Sequence, residues 1–177
     1  MMLQPLGETP SEWVMRWADR IAPGGTVLDL ASGRGRHSRF LQRLGHGVLA
    51  VDRDAQALQL LAGEPQIETL VFDLEQGVWP FPERRFAAVV VTNYLHRPLM
   101  EHLRESLQPN GVLIYETFAA GNEQFGRPAN PAFLLRPGEL LDLCHPHLHV
   151  VAYEHLQVSL PKPAVIQRIC AINKLGG

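Results

Sequence analysis

TVLDLASGRGRHS, residues 26–38, decides how the rest of the chain is read. Residues 27–30 are apolar around a single aspartate and predict a short buried strand. Residues 31–35 are small or flexible, with glycine at 33 and 35, and a helical pattern begins near Arg36. Strand, glycine turn and helix together are the context in which a Gly-x-Gly signal gains meaning. Glycine lets the backbone turn sharply and lets a ligand press against the main chain. The start of the helix presents free N–H groups to whatever lies there.

A pyrophosphate seat calls for Gly-x-Gly-x-x-Gly. Here Ser38 holds the third position, and Asp29 sits at the strand end. A carboxylate there repels a pyrophosphate and suits a ligand carrying an ammonium or a sulfonium. The run 27–35, with an acidic residue, then small residues, then Gly-x-Gly, resembles motif I of the class I S-adenosylmethionine-dependent methyltransferases. The resemblance implies S-adenosylmethionine (AdoMet) as cofactor, with Ala31, Gly33 and Gly35 around it. Asp29 would hold the glycine loop or the methionine amine.

The 177 residues suit a single domain over 1–177, and 46% apolar composition is enough for one sizeable core. Net charge is −2, with 16 Lys and Arg against 18 Asp and Glu, which is not the overall footprint of a nucleic-acid binder. A local basic patch stays possible. Cys144 and Cys170 lie far apart and suggest neither a disulfide framework nor a zinc site. The first residues lack a signal-peptide pattern, and no apolar run approaches a membrane span. A cytoplasmic chain with no membrane partner is expected.

Residues 1–9 read as loose. Residues 13–21 carry Trp13, Val14, Trp17 and Ile21 at helical spacing and predict a packing helix. Helices are expected at 36–44, 55–61, 99–107 and 139–144. Strands are expected at 47–51, 67–72, 86–92, 111–117, 150–155 and 164–172. Strand–helix alternation implies an α/β three-layer sandwich. The resemblance makes this a Rossmann-like, mostly parallel sheet of seven strands, ordered 3-2-1-4-5-7-6, with strand seven antiparallel.

Asp52 follows strand two, in the place of the acidic residue that accepts both ribose hydroxyls in such folds. Arg53 adjoins it. Asp54 is the better candidate to cap the next helix. In the resembled family an acid after strand three receives the adenine amine, which falls on Asp73, and the backbone of the next residue, Leu74, reads the ring edge. The family's motif IV falls on residues 93–98. Asn93 would meet the methionine amine or the substrate, and Tyr94 and His96 are the neighbours able to handle a proton. Asn93, Tyr94 and His96 are therefore the catalytic candidates.

Residues 118–137 form no regular pattern, yet Phe125, Phe133, Leu134 and Leu135 argue against disorder. They leave the carboxyl end of a strand and read as a substrate lid. The pattern YETF followed by GNEQFGRP resembles a bacterial subgroup labelled tellurite-resistance-like methyltransferases. His145, His147 and His149 alternate beside Cys144 with no carboxylate to join them, so no metal site is expected. Methyl transfer to a small molecule is the favoured function. An RNA or protein acceptor, suggested by Arg34, Arg36, Arg39 and Arg43, or a non-catalytic AdoMet-binding domain, are the alternatives. The sequence says nothing of oligomeric state.

Overall fold

A computed structural model of the chain describes residues 8–174. The loose stretch expected over 1–9 therefore lies, for residues 1–7, outside the described part. The strands are β1 (Thr26–Leu30), β2 (Gly47–Asp52), β3 (Ile67–Val71), β4 (Phe86–Thr92), β5 (Leu107–Phe118), β6 (His149–Val158) and β7 (Ala164–Ile172). The α-helices are α1 (Glu12–Trp17), α2 (Arg36–Arg43), α3 (Ala55–Gln59), α4 (Met100–Glu105) and α5 (Glu139–Cys144).

The seven strands form one sheet in the order β3-β2-β1-β4-β5-β7-β6. Strand β7 runs antiparallel to both β5 and β6, while the other pairings are parallel. This is the Rossmann-like order, with an antiparallel seventh strand, that the family resemblance implied; the alternation of elements implied the α/β layering.

Side chains alternate across each strand, and both faces are covered. Leu28, Leu30, Val89, Val91, Leu113 and Tyr115 face one core with Leu103 and Leu140. Val27, Val48, Ala88, Val90 and Ile114 face the other, with Trp13, Val14 and Leu41. A valine of β4, fully buried, contributes roughly 1.5–3 kcal/mol. That is why a continuous apolar run sits centrally.

Helix boundaries differ from expectation where capping decides them. Ser11 caps α1, its Oγ accepting from the Trp13 and Val14 N–H groups. The α-helix ends at Trp17 and continues as the 3₁₀ turn Ala18–Arg20. Trp13 is buried, its indole N–H donating to the Ile169 carbonyl at 3.1 Å, so it pins α1 to the sheet. A 3₁₀ turn over Arg97–Leu99 precedes α4.

The irregular segment after β5 is folded on itself. A bridge joins Ala119 to Leu135 at its base. Short 3₁₀ turns occupy Asn122–Gln124 and Pro131–Phe133. The Asn122 amide donates to the Pro128 carbonyl, and its oxygen accepts from the Val165 N–H. The result is a loop with a closed base and an exposed tip, of the Ω kind.

Candidate active site

The carboxyl ends of the five parallel strands open onto two adjoining cavities. The first, about 710 Å3, has Asp52, Phe72, Asp73, Tyr94, Phe118 and Phe133 in its wall. The second, about 550 Å3, has Gly33, Arg34, Arg36, His37 and Thr92. Ala31 and Asn93 belong to both walls. They follow β1 and β4, neighbours at which the strand order reverses, the place where open α/β sheets hold ligands. Both have left-handed backbones, with φ of 53° at Ala31 and 55° at Asn93. Asparagine adopts this region readily, whereas alanine there costs about 1 kcal/mol.

Asp52 anchors the glycine turn. One carboxylate oxygen accepts from the Gly33 N–H at 2.8 Å, and the other from the Asp54 N–H at 2.9 Å. Each oxygen keeps a further lone pair, enough to accept two hydroxyl groups from the cavity. Asp54 caps α3, as expected, accepting from the Gln56 and Ala57 N–H groups.

Gly33 lines the second cavity. Gly35 lines neither, and its requirement is packing. Its φ is +80°, and a Cβ there would approach Leu61 Cδ2 to 2.5 Å. Asp29 lies behind the turn rather than in either wall, 2% exposed, and accepts from the Ser38 hydroxyl at 2.6 Å. It ties β1 to α2. Burial pushes its carboxyl up to about 6, against the pull of the Ser38 bonds.

Asp73, Leu74 and Arg53 stand in the wall of the first cavity. Asp73 accepts from the Gln76 amide and the Glu75 N–H, both at 3.0 Å, and these bonds hold its carboxyl below the usual range. Asn93 donates its N–H to the Glu116 carbonyl at 2.9 Å, which fixes the turn after β4. The Tyr94 hydroxyl is 3.5 Å from Glu75 Oε1. Burial, then the charges of Glu75 and Asp73, pushes this phenol up to about 12. Tyr94 therefore holds its proton at neutral pH. His96 begins the 3₁₀ turn after β4 and is in neither wall.

Several residues in and around the cavities carried no sequence signal. His37 is buried, its Nε2 accepting from the Ser11 N–H at 2.9 Å and its Nδ1 3.4 Å from the Thr92 hydroxyl. Burial, then Arg36, lowers it to about 3, so the ring is neutral with its proton on Nδ1. Arg97 clamps the loop after β5. It donates to Glu139 at 2.7 and 3.0 Å, to the Ala132 carbonyl at 3.0 Å and to the Leu134 carbonyl at 2.9 Å. Of the arginines on the second cavity, Arg39 also donates to the Arg34 and Leu60 carbonyls, and Arg36 to that of Thr9. His145, His147 and His149 join no cluster of three or more metal-binding side chains among the described residues. Nor is any described helix long and apolar enough to cross a membrane.

Residues 27–111 match the model of a family described as a methyltransferase domain. The matched stretch runs from β1 into β5 and carries the glycine turn, Asp52, Asp73 and Asn93. Among solved structures, the chain is similar to TehB from Haemophilus influenzae, with a TM-score of 0.78 and 19% identity over 93% of this chain. It spans 63% of the length of that TehB chain. A TehB-like SAM-dependent methyltransferase from Corynebacterium glutamicum matches with a TM-score of 0.65, at 21% identity, covering 92% of this chain and 88% of that one. The 1,6-didemethyltoxoflavin-N1-methyltransferase of Burkholderia thailandensis, solved with that compound and S-adenosylhomocysteine, matches with a TM-score of 0.66 at 19% identity, covering 92% and 77%. No curated protein matches the sequence.

Proposed function

We propose that this chain is a single domain, working in the cytoplasm, that moves the methyl group of AdoMet to a small molecule. The observation that carries the reading is the pair of joined cavities of opposite charge. Three carboxylates and one guanidinium line the first: Asp52, Asp73 and Glu75 against Arg53. Four guanidinium groups and one carboxylate line the second: Arg34, Arg36, Arg39 and Arg43 against Glu8. AdoMet has a matching polarity, with hydroxyl and amine donors at the nucleoside end and a carboxylate at the methionine end.

On this reading Asp52 accepts the ribose hydroxyls, Asp73 the adenine amine, and the Leu74 backbone the ring edge. Gly33 leaves the methionine half room at the throat between Ala31 and Asn93. AdoMet supplies an already activated methyl group on a sulfonium. The chain's contribution is positioning and water exclusion. Asn93 sits at the junction, Tyr94 donates rather than removes a proton, and the 118–136 loop roofs the acceptor with Phe118, Pro128 and Phe133.

Size favours a small acceptor, since the loop folds over the first cavity. The Burkholderia thailandensis neighbour is likewise named for a small-molecule acceptor. Arg34 and Arg43 keep a nucleic-acid reading alive as the second choice. Incubation with labelled AdoMet and a cell extract split into small-molecule, RNA and protein fractions separates the readings. Label in the small-molecule fraction is expected. Label confined to RNA or protein refutes the small-molecule assignment.

A further inference from the structure

We propose that the acceptor is an uncharged planar heteroaromatic compound, methylated on a ring nitrogen whose lone pair is free at neutral pH. The inference rests on the methyltransferase reading above and adds the substrate class.

The acceptor half of the first cavity is what remains beyond Asp52 and Asp73. Its wall is Tyr94, Leu95, Thr117, Phe118, Pro128 and Phe133. Three aromatic rings and a proline make flat faces suited to stacking on a ring. Phe133 is 51% exposed, a large apolar side chain on the cavity wall. This half holds no charged side chain, the remaining wall carries Asp52, Asp73 and Glu75 against Arg53, and Arg97, outside the wall, is already bonded to Glu139 and two carbonyls. An acceptor with a carboxylate or phosphate would meet Glu75 and Asp73 instead of a counter-ion.

The proton inventory narrows the class further. Tyr94 retains its proton, and His96 is in neither wall. A ring nitrogen of the pyridine type needs no base. Its lone pair forms the N–CH3 bond as the S–CH3 bond breaks, and the S–CH3 electron pair stays on sulfur. Positive charge passes from sulfur to nitrogen with no proton released. Glu75, beside Tyr94 at 3.5 Å, is placed to stabilise the cation that develops on the acceptor.

The test uses the full chain saturated with S-adenosylhomocysteine, with quinoline and 2-naphthoate as probes of matched shape and opposite character. Calorimetry or ligand-observed NMR is expected to show quinoline binding at least fivefold more tightly than naphthoate. Phe133→Ala, at an exposed position, should weaken quinoline at least fivefold and leave S-adenosylhomocysteine affinity unchanged. Glu75→Lys should narrow or reverse the preference. Equal or tighter naphthoate binding overturns the proposal, as does binding of neither probe to the loaded protein. Failure to bind S-adenosylhomocysteine at all instead overturns the methyltransferase reading beneath it.

Discussion

Asp29→Asn removes a charge from beneath the glycine turn while keeping the shape and the acceptor for Ser38. In the folded chain this carboxyl rises from 3.8 to about 6, chiefly through burial. At about 1.4 kcal/mol per tenfold change in proton affinity, the full rise amounts to about 3 kcal/mol. The folded state binds this proton more tightly than the unfolded one. The group's contribution is therefore most favourable below pH 3.8 and is lost as pH climbs through about 6. Asparagine does not titrate, so the variant escapes the loss. Its advantage over the parent should be about 1–2 kcal/mol near pH 5 and about 3 kcal/mol near pH 8, in urea melts with unchanged slope. A difference that is the same at both pH values, or a variant less stable near pH 8, would refute the reasoning. It would mean that the carboxylate is ionised at little cost, for instance through water reaching it.

Three further outcomes are expected. Asp52→Asn should weaken AdoMet binding at least about tenfold by calorimetry, about 1.4 kcal/mol, whereas Asp54→Ala should lower stability by about 1 kcal/mol and leave that affinity alone; an unchanged affinity in Asp52→Asn would remove the ribose assignment. Replacing residues 123–133 by a short glycine–serine link should spare S-adenosylhomocysteine binding, because the Ala119–Leu135 bridge stays, but abolish methyl transfer. Retained turnover would show that the loop is no roof. Tyr94→Phe should leave turnover within about threefold and remove no limb of its pH profile, as a proton-holding phenol predicts; loss of a basic limb would restore Tyr94 as a base.

The sheet was legible because its signals are local and strong. FAAVVVT is an apolar run and AVIQRICAI is apolar apart from Gln167 and Arg168; both are bounded by loop residues, and both strands fall where those stretches do. Helix ends were less so: α1 gives way to a 3₁₀ turn at Ala18, which apolar spacing alone does not distinguish from continued α-helix. Asp52, Asp73 and Gly33 could be placed at strand ends from the chain's own pattern, and all three line the cavities; the roles expected of them came from the family resemblance. Asp29 was readable as special but not in its surroundings, since whether a strand-end acid faces a ligand or a neighbouring helix depends on Ser38, nine positions on. Arg97, His37 and Phe133 were not readable at all as a set. The partners of Arg97 and His37 lie at Glu139 and Ser11, and Phe133 joins a cavity wall with Tyr94; such neighbours meet only once the sheet has brought distant segments together.

The two chambers share Ala31 and Asn93, two residues held in left-handed backbone conformations. What lies on either side can then change independently. Pro128 and Phe133 of the proposed acceptor wall come from one surface segment with a stapled base, while the proposed cofactor seat is drawn from strand ends of the sheet. A library confined to the loop tip should therefore retarget the enzyme without retuning its hold on the methyl donor, and drift in this segment alone would let one scaffold serve many chemistries.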